Sequence, residues 1–169
     1  MNKDLELKLV QKYPIILQDY GGNKRHTCMH WGMECGDGWY DLLDTLLQKL
    51  DYISNHSGVQ VIANQIKEKF GTLRFYYSTV VKTDLNTDPI VEKIIEDVVS
   101  NAERRSAYIC ENTGKGGYLC SRGVGGWLKT LCKEEADKEQ YIPTDKGVAK
   151  YWDEINNEIH RSNTEQQHS

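Results

Sequence analysis

This 169-residue chain has no apolar run of the roughly twenty residues that cross a bilayer, no C-x-x-C pair and no surplus of positive charge. Each absence removes a class of function. Without the apolar run there is no membrane-spanning helix to expect. The opening MNKDLELKLVQKYP alternates charged and apolar residues and holds no signal-peptide core, so the expected address is the cytosol. Five cysteines (Cys28, Cys35, Cys110, Cys120, Cys132) form an odd set at irregular spacings. In a chain of this length that argues against a disulfide framework and leaves buried small hydrophobes or free thiols. A formal net charge of −4 argues against a general nucleic-acid binder, whose affinity rests on many cations facing phosphates. A local basic patch on an acidic protein suits a small anionic ligand better. Internal repeats are also lacking.

What is present organises as one α+β domain over residues 1–160, with a polar, frayed tail over 161–169. Leu5, Leu7, Leu9 and Val10 among charges predict a short helix that ends before Pro14. Residues 20–38 read as a long glycine-punctuated loop, packed rather than disordered because Met29, Trp31 and Met33 lie within it. Trp39, Leu42, Leu43, Leu46, Leu47, Leu50 and Ile53 recur at helical spacing and predict a helix over about 39–54, opened by Asp37-Gly38. The β-branched run at 59–66 predicts a strand whose antiparallel partner is 72–79, so a hairpin or small sheet covers about 59–79. After a loop over 82–88, Asp88 as cap and Pro89 at the first helical position start a helix over about 89–107. Residues 108–126 are glycine-rich. Trp127 opens a predicted helix over about 127–140, and a last helix is expected from 147 to about 159.

The most informative stretch is Lys67-Glu-Lys-Phe-Gly-Thr-Leu-Arg-Phe-Tyr-Tyr77. With Phe70-Gly71 as the turn, Ile66 faces Phe75, Glu68 faces Leu73 and Lys67 faces Arg74. A slip of one residue would set Ile66 against Arg74, so the apolar pairing selects the first register. Phe70 then needs an awkward backbone for its size. Lys67 and Arg74 become like charges directly across from each other, a costly pair unless a carboxylate or an anion lies between them. Cations beside the Tyr76 ring suit a phosphorylated, ring-bearing ligand. The plainer reading is a solvated strand face with internal partners such as Glu68 or Glu103.

Other features are weighed the same way. Gly114-Lys-Gly-Gly117 and Arg122-Gly-Val-Gly-Gly126 could turn backbone N–H groups toward phosphate, yet neither matches a P-loop or dinucleotide fingerprint, and glycine loops are more often plain turns. His26, Cys28, His30 and Cys35 crowd one loop. Structural zinc usually needs paired ligands two to four residues apart at both ends of a site, and Cys110-Glu-Asn-Thr113 and Cys132-Lys-Glu-Glu135 each lack the second ligand. Neither a metal nor another cofactor is expected. Cys35 with His30 or His26 as base lacks a nameable orienting residue, so no enzyme is read here. Trp31, Trp39 and Trp127 border loops, either as lids for a planar ligand or as core filling.

Trp31-Gly-Met-Glu-Cys-Gly-Asp-Gly-Trp39, Ile66-Lys-Glu-Lys-Phe-Gly-Thr-Leu-Arg-Phe-Tyr76 and the closing Cys110-Glu…Gly114…Gly126-Trp-Leu-Lys-Thr-Leu-Cys132 together resemble a widespread set of small tailed-phage proteins. The resemblance spans about residues 28–132. In many of that set the last segment carries a C-x-x-C and a later cysteine and histidine, like a zinc knuckle; this chain departs from it at Thr113 and Glu135. What the resemblance implies is a protein of the host cytoplasm that counters host defence, similar to the oligomeric sponges that sequester cyclic dinucleotide signals of the anti-phage system CBASS without cleaving them. The expectation is a non-catalytic homo-oligomer that captures a small nucleotide. Trp31, Tyr76 and Trp127 would stack on bases, and Lys67, Lys69, Arg74 and Lys129 would neutralise phosphates. The alternatives are a protein-interaction module using the same hairpin and tryptophan loop, or a degenerate zinc-knuckle nucleic-acid binder.

Overall fold

The chain enters its first helix through a polar cap. Asn2 stands in extended backbone and its side chain accepts a hydrogen bond from the Leu5 N–H, opening α1 (Lys3–Lys12) as predicted. Asp4 and Glu6 in the first turn and Lys12 in the last match the helix dipole. These features belong to a computed structural model that describes residues 1–81, 89–123 and 125–154. The predicted loop over 82–88, the Asp88 cap, the end of the last predicted helix and the tail over 161–169 lie outside the described residues.

The leucine stripe forms α2 (Tyr40–Ser57). Leu42, Leu43, Leu46, Leu47 and Leu50 are all buried, and the helix stops at Gly58, whose φ of +74° is the left-handed cap that glycine adopts without strain. α3 (Pro89–Ser106) buries Ile95, Val99 and Ala102. The two helices pack on each other and over a sheet of three strands, β1 (Met33–Glu34), β2 (Val59–Lys69) and β3 (Thr72–Val81), in the order β1-β2-β3. β1 runs parallel to β2, and its two residues come from within the predicted loop.

β2 and β3 are antiparallel in the register chosen by the apolar pairing: Ile66 opposite Phe75, Lys67 opposite Arg74, Glu68 opposite Leu73. The strand runs on to Lys69, beyond the predicted 59–66, and changes phase within its length. A bulge between Ala63 and Gln65 inserts Asn64, so Val59, Val61 and Ala63 point to the core before it and Ile66 after it. Phe70 takes the predicted awkward backbone, with φ +55° followed by +77° at Gly71. Leu73 N–H donates to Ser106 Oγ and Phe75 N–H to Glu103 Oε1, so side chains of α3 occupy the open edge of β3.

A second three-stranded sheet, unforeseen by the sequence, follows. β4 (Tyr118–Ser121) lies between β5 (Leu128–Leu131) and β6 (Ile142–Pro143), both antiparallel to it. The helix predicted over about 127–140 is therefore corrected. Its first half is β5, and only α4 (Lys133–Glu139) is helical. A short apolar run fits either period. Here Thr130 is buried and bonds to the Gly71 carbonyl, and Leu128 and Thr130 pair with Ser121 and Leu119, which decides for the strand. Residues 146–154 form a final helix, α5. Cys110, Cys120, Leu131, Cys132, Ala136, Tyr141 and Trp152 make a small second core beside the main one.

Candidate functional site

The three sequence blocks that stood out meet at the seam between the two sheets. Gly38 N–H donates to the Glu111 carbonyl (2.8 Å), Trp39 Nε1 to the Ile109 carbonyl (2.8 Å), and Gly36 N–H to Glu111 Oε1 (2.9 Å). Backbone approaches backbone so closely that a Cβ on Gly38 would lie 2.3 Å from the Cys110 oxygen and 2.4 Å from the Gly114 nitrogen. The hairpin tip docks from the other side. Thr130 Oγ1 donates to the Gly71 carbonyl (2.7 Å), and Glu68 turns inward to accept from the Gly71 N–H (2.5 Å). Glycine in Cys35-Gly-Asp-Gly-Trp39 and in the hairpin turn is thus explained by packing. Asp37, expected to start α2, instead accepts from the Asn2 backbone and side chain at 2.6 and 2.7 Å, contacts that hold its carboxyl below the ordinary range.

What this docking leaves outside is a cleft of about 900 Å³ between the hairpin tip and the second sheet. Lys67, Glu68, Lys69 and Phe70 line the hairpin side, and Gly123, Gly125, Gly126, Trp127 and Ile142 line the other. Phe70, Trp127 and Ile142 are 66, 70 and 61% exposed. Among the described residues no carboxylate pairs with Lys67 or Lys69, and Glu68 between them is turned to the Gly71 N–H. Lys67 lies over the Tyr76 ring at 5.8 Å and Lys69 over the Phe70 ring at 5.3 Å.

The seven expected ligand residues are therefore divided. Lys67, Lys69 and Trp127 share the cleft, and Tyr76 supports Lys67 beside it. Lys129 is adjacent in sequence but committed, bound to Glu139 at 2.8 Å and packed over the Tyr141 ring at 5.8 Å. Arg74 lines a different cleft. Trp31 is exposed on a short 3-10 turn (Cys28–Trp31), edge-on to His30, and lines neither. The sequence reading missed Phe70 as a wall and Ile142 altogether. Phe70 was legible as an aromatic at a turn that disfavours it; Ile142 carried no signal.

The cysteines occupy two settings. Cys28 is exposed while Cys35 sits in the main core, where burial pushes its thiol up to about 12. It would hold almost no thiolate at neutral pH. Cys110, Cys120 and Cys132 meet in the small core. Burial raises the Cys110 thiol, but hydrogen bonds from the Thr113 hydroxyl and from the N–H groups of Cys132, Thr113 and Asn112 outweigh it and hold the group below its ordinary value. Burial keeps its neighbour Cys132 above the ordinary value and pushes Cys120 up to about 11. Thr113 thus stands against the sulfurs, its Oγ1 at 3.7 Å from Cys132 Sγ, as a hydroxyl rather than a ligand pair. Among the described residues no three or more His, Cys, Asp or Glu side chains are placed so that they could hold a metal ion together. Nor is any described helix long and apolar enough to cross a membrane. The chain matches no protein-family model, no curated protein and no solved structure.

Proposed function

We propose that this protein is a non-catalytic binder that captures a small nucleotide in the cleft between the hairpin tip and the second sheet. One observation carries the reading: two exposed aromatic faces, Phe70 and Trp127, stand on the two sides of a concave site that also holds Lys67 and Lys69, with which no described carboxylate pairs. A base stacked on an aromatic face contributes about 1–3 kcal/mol, and the two ammonium groups suit its phosphates. In its narrowest form, supported by the resemblance of the three sequence blocks to phage proteins, the ligand is a cyclic dinucleotide immune signal that the protein sequesters in the host cytoplasm. The cleft is open on one side, and tight capture of a small ligand calls for burial of most of its surface, so a second copy of the chain closes the site in this reading.

The test is isothermal titration against a panel of cyclic dinucleotides, with chromatography of the recovered ligand. Saturable binding, intact ligand and a loss of at least tenfold in Trp127→Ala and in Lys69→Ala are expected. Altered ligand would make the protein an enzyme. A second reading has its own support, because Phe70, Trp127 and Ile142 form a largely apolar lining that equally fits a peptide segment of a protein partner. Absence of heat with every nucleotide would favour that reading over the first.

A further inference from the structure

We infer that the cleft between the edge of β3 and the last turns of α3 is a second binding site, for a phosphate-bearing ligand. It encloses about 830 Å³ and is lined by Thr72, Arg74, Ser100, Glu103, Arg104, Arg105 and Tyr108 among others. Three guanidinium groups therefore face one carboxylate. That carboxylate is already engaged, because Glu103 Oε1 accepts the Phe75 N–H at 2.9 Å, and no arginine pairs with it or with any other described acid. The arginines thus line one cavity with a single carboxylate of the protein's own, Glu103, so the lining keeps an excess of positive charge. Such an arrangement is unfavourable when empty and is relieved by a bound anion.

The geometry points to phosphate rather than to diffuse negative charge. Arg74 is half-buried and fixed: its Nη1 donates to Thr72 Oγ1 and to the Leu73 carbonyl, both at 2.7 Å. The guanidinium has five N–H donors in a rigid plane, so this anchoring leaves others for a ligand, in the two-pronged geometry that fits phosphoryl oxygens. Arg104 and Arg105 are exposed on the last turn of α3 and bring charge without prior commitment. The hydroxyls of Ser100 and Tyr108 add neutral donors, and the Tyr108 ring, 70% exposed, offers a face for a planar group attached to the phosphate. This site differs in kind from the first cleft, where lysines act as point charges beside an apolar wall. It also gives Arg74, singled out by the sequence but absent from the first cleft, a ligand of its own.

The probe is inorganic pyrophosphate, titrated into the full chain by calorimetry, with citrate as a tricarboxylate of similar charge. Saturable pyrophosphate binding is expected, weakened at least tenfold by Arg105→Ala and by Arg74→Lys, which keeps the charge and removes the fork. Lys8→Ala, which deletes one exposed charge on α1 outside both clefts, should leave it unchanged. Arg104→Ala provides a further exposed position where loss of fold is not at issue. The proposal is overturned if pyrophosphate does not saturate, if the arginine variants bind as the parent does, or if Lys8→Ala loses as much as Arg105→Ala. Citrate binding as tightly as pyrophosphate would overturn the phosphate assignment.

Discussion

The two sheets of this protein have the same number of strands but very different support. In the first, strands of 11 and 10 residues lie under two 18-residue helices, with a buried set dominated by leucine, isoleucine and valine. In the second, strands of 4, 4 and 2 residues enclose three cysteines, Leu131, Ala136, Tyr141 and Trp152. So small an apolar core gives little stabilisation by itself. Its fixed points are polar and lie at the seam: Gly38 to Glu111, Trp39 to Ile109, Glu111 N–H to the Thr130 carbonyl at 2.9 Å, and Thr130 to Gly71. The first sheet stands on hydrophobic burial, and the second stands on the first. The seam also positions the walls of the cleft between the hairpin tip and the second sheet, so its integrity and the cleft's are one question.

The largest expected effect separates the two cores. Leu47→Ala, in the fully buried leucine stripe, should cost about 2–5 kcal/mol in denaturant unfolding and lower protection of every core amide. Leu131→Ala, equally buried, should instead release the amides of β4 and β5 to hydrogen exchange while β2 and β3 stay protected. Equal loss of protection in both sheets would break the comparison and make the domain a single cooperative unit.

The seam itself is tested by glycine. Gly38→Ala forces a methyl group against three backbone atoms at 2.3–2.6 Å and should cost about 3 kcal/mol. Gly116→Ala meets nothing within 4 Å and should stay within about 0.5 kcal/mol of the parent. Denaturant midpoints of the two variants decide this, and similar values would mean that the seam yields to the added methyl.

A smaller effect depends on pH. Glu111 is buried at the seam, where one carboxylate oxygen accepts from Gly36 and the other, Oε2, has no hydrogen-bond partner. Burial raises its pKa above the ordinary value of 4.5, with Glu68 acting in the same direction. A raised folded-state pKa means that the native state binds more protons than the unfolded chain between the unfolded and the folded values, so this group's contribution falls as pH rises through that range. Glu111→Gln removes the titration. Its stability relative to the parent should therefore improve as pH rises above 4.5, measured as the difference in denaturant midpoint. A difference independent of pH would mean that Glu111 titrates alike in both states.

Much of the first sheet's region was legible in the chain. The periodicity of Leu42 to Leu50, Pro89 at the start of α3 and the Ile66–Phe75 pairing are local signals, and each stands where the residues placed it. The candidate site was legible in composition and only partly in place. Lys67, Lys69 and Trp127 meet in one cleft, but Arg74 turns into another, because the hairpin tip curls toward the second sheet while α3 covers the edge of β3.

By itself, then, the sequence determined the α+β class, three of the helices, the hairpin register and the concentration of cations and aromatics around Gly71, since each depends on neighbours within a few residues or one turn. Tertiary structure alone decided that Leu128–Leu131 is a strand, that Asn64 forms a bulge, that Glu68 turns inward and that the basic residues divide between two clefts. Each of those outcomes rests on partners far away in the chain. Thr130 meets Gly71 across 59 positions and Gly36 meets Glu111 across 75, and nothing in the local pattern of a four-residue strand or a glycine pair reports which distant backbone it will meet.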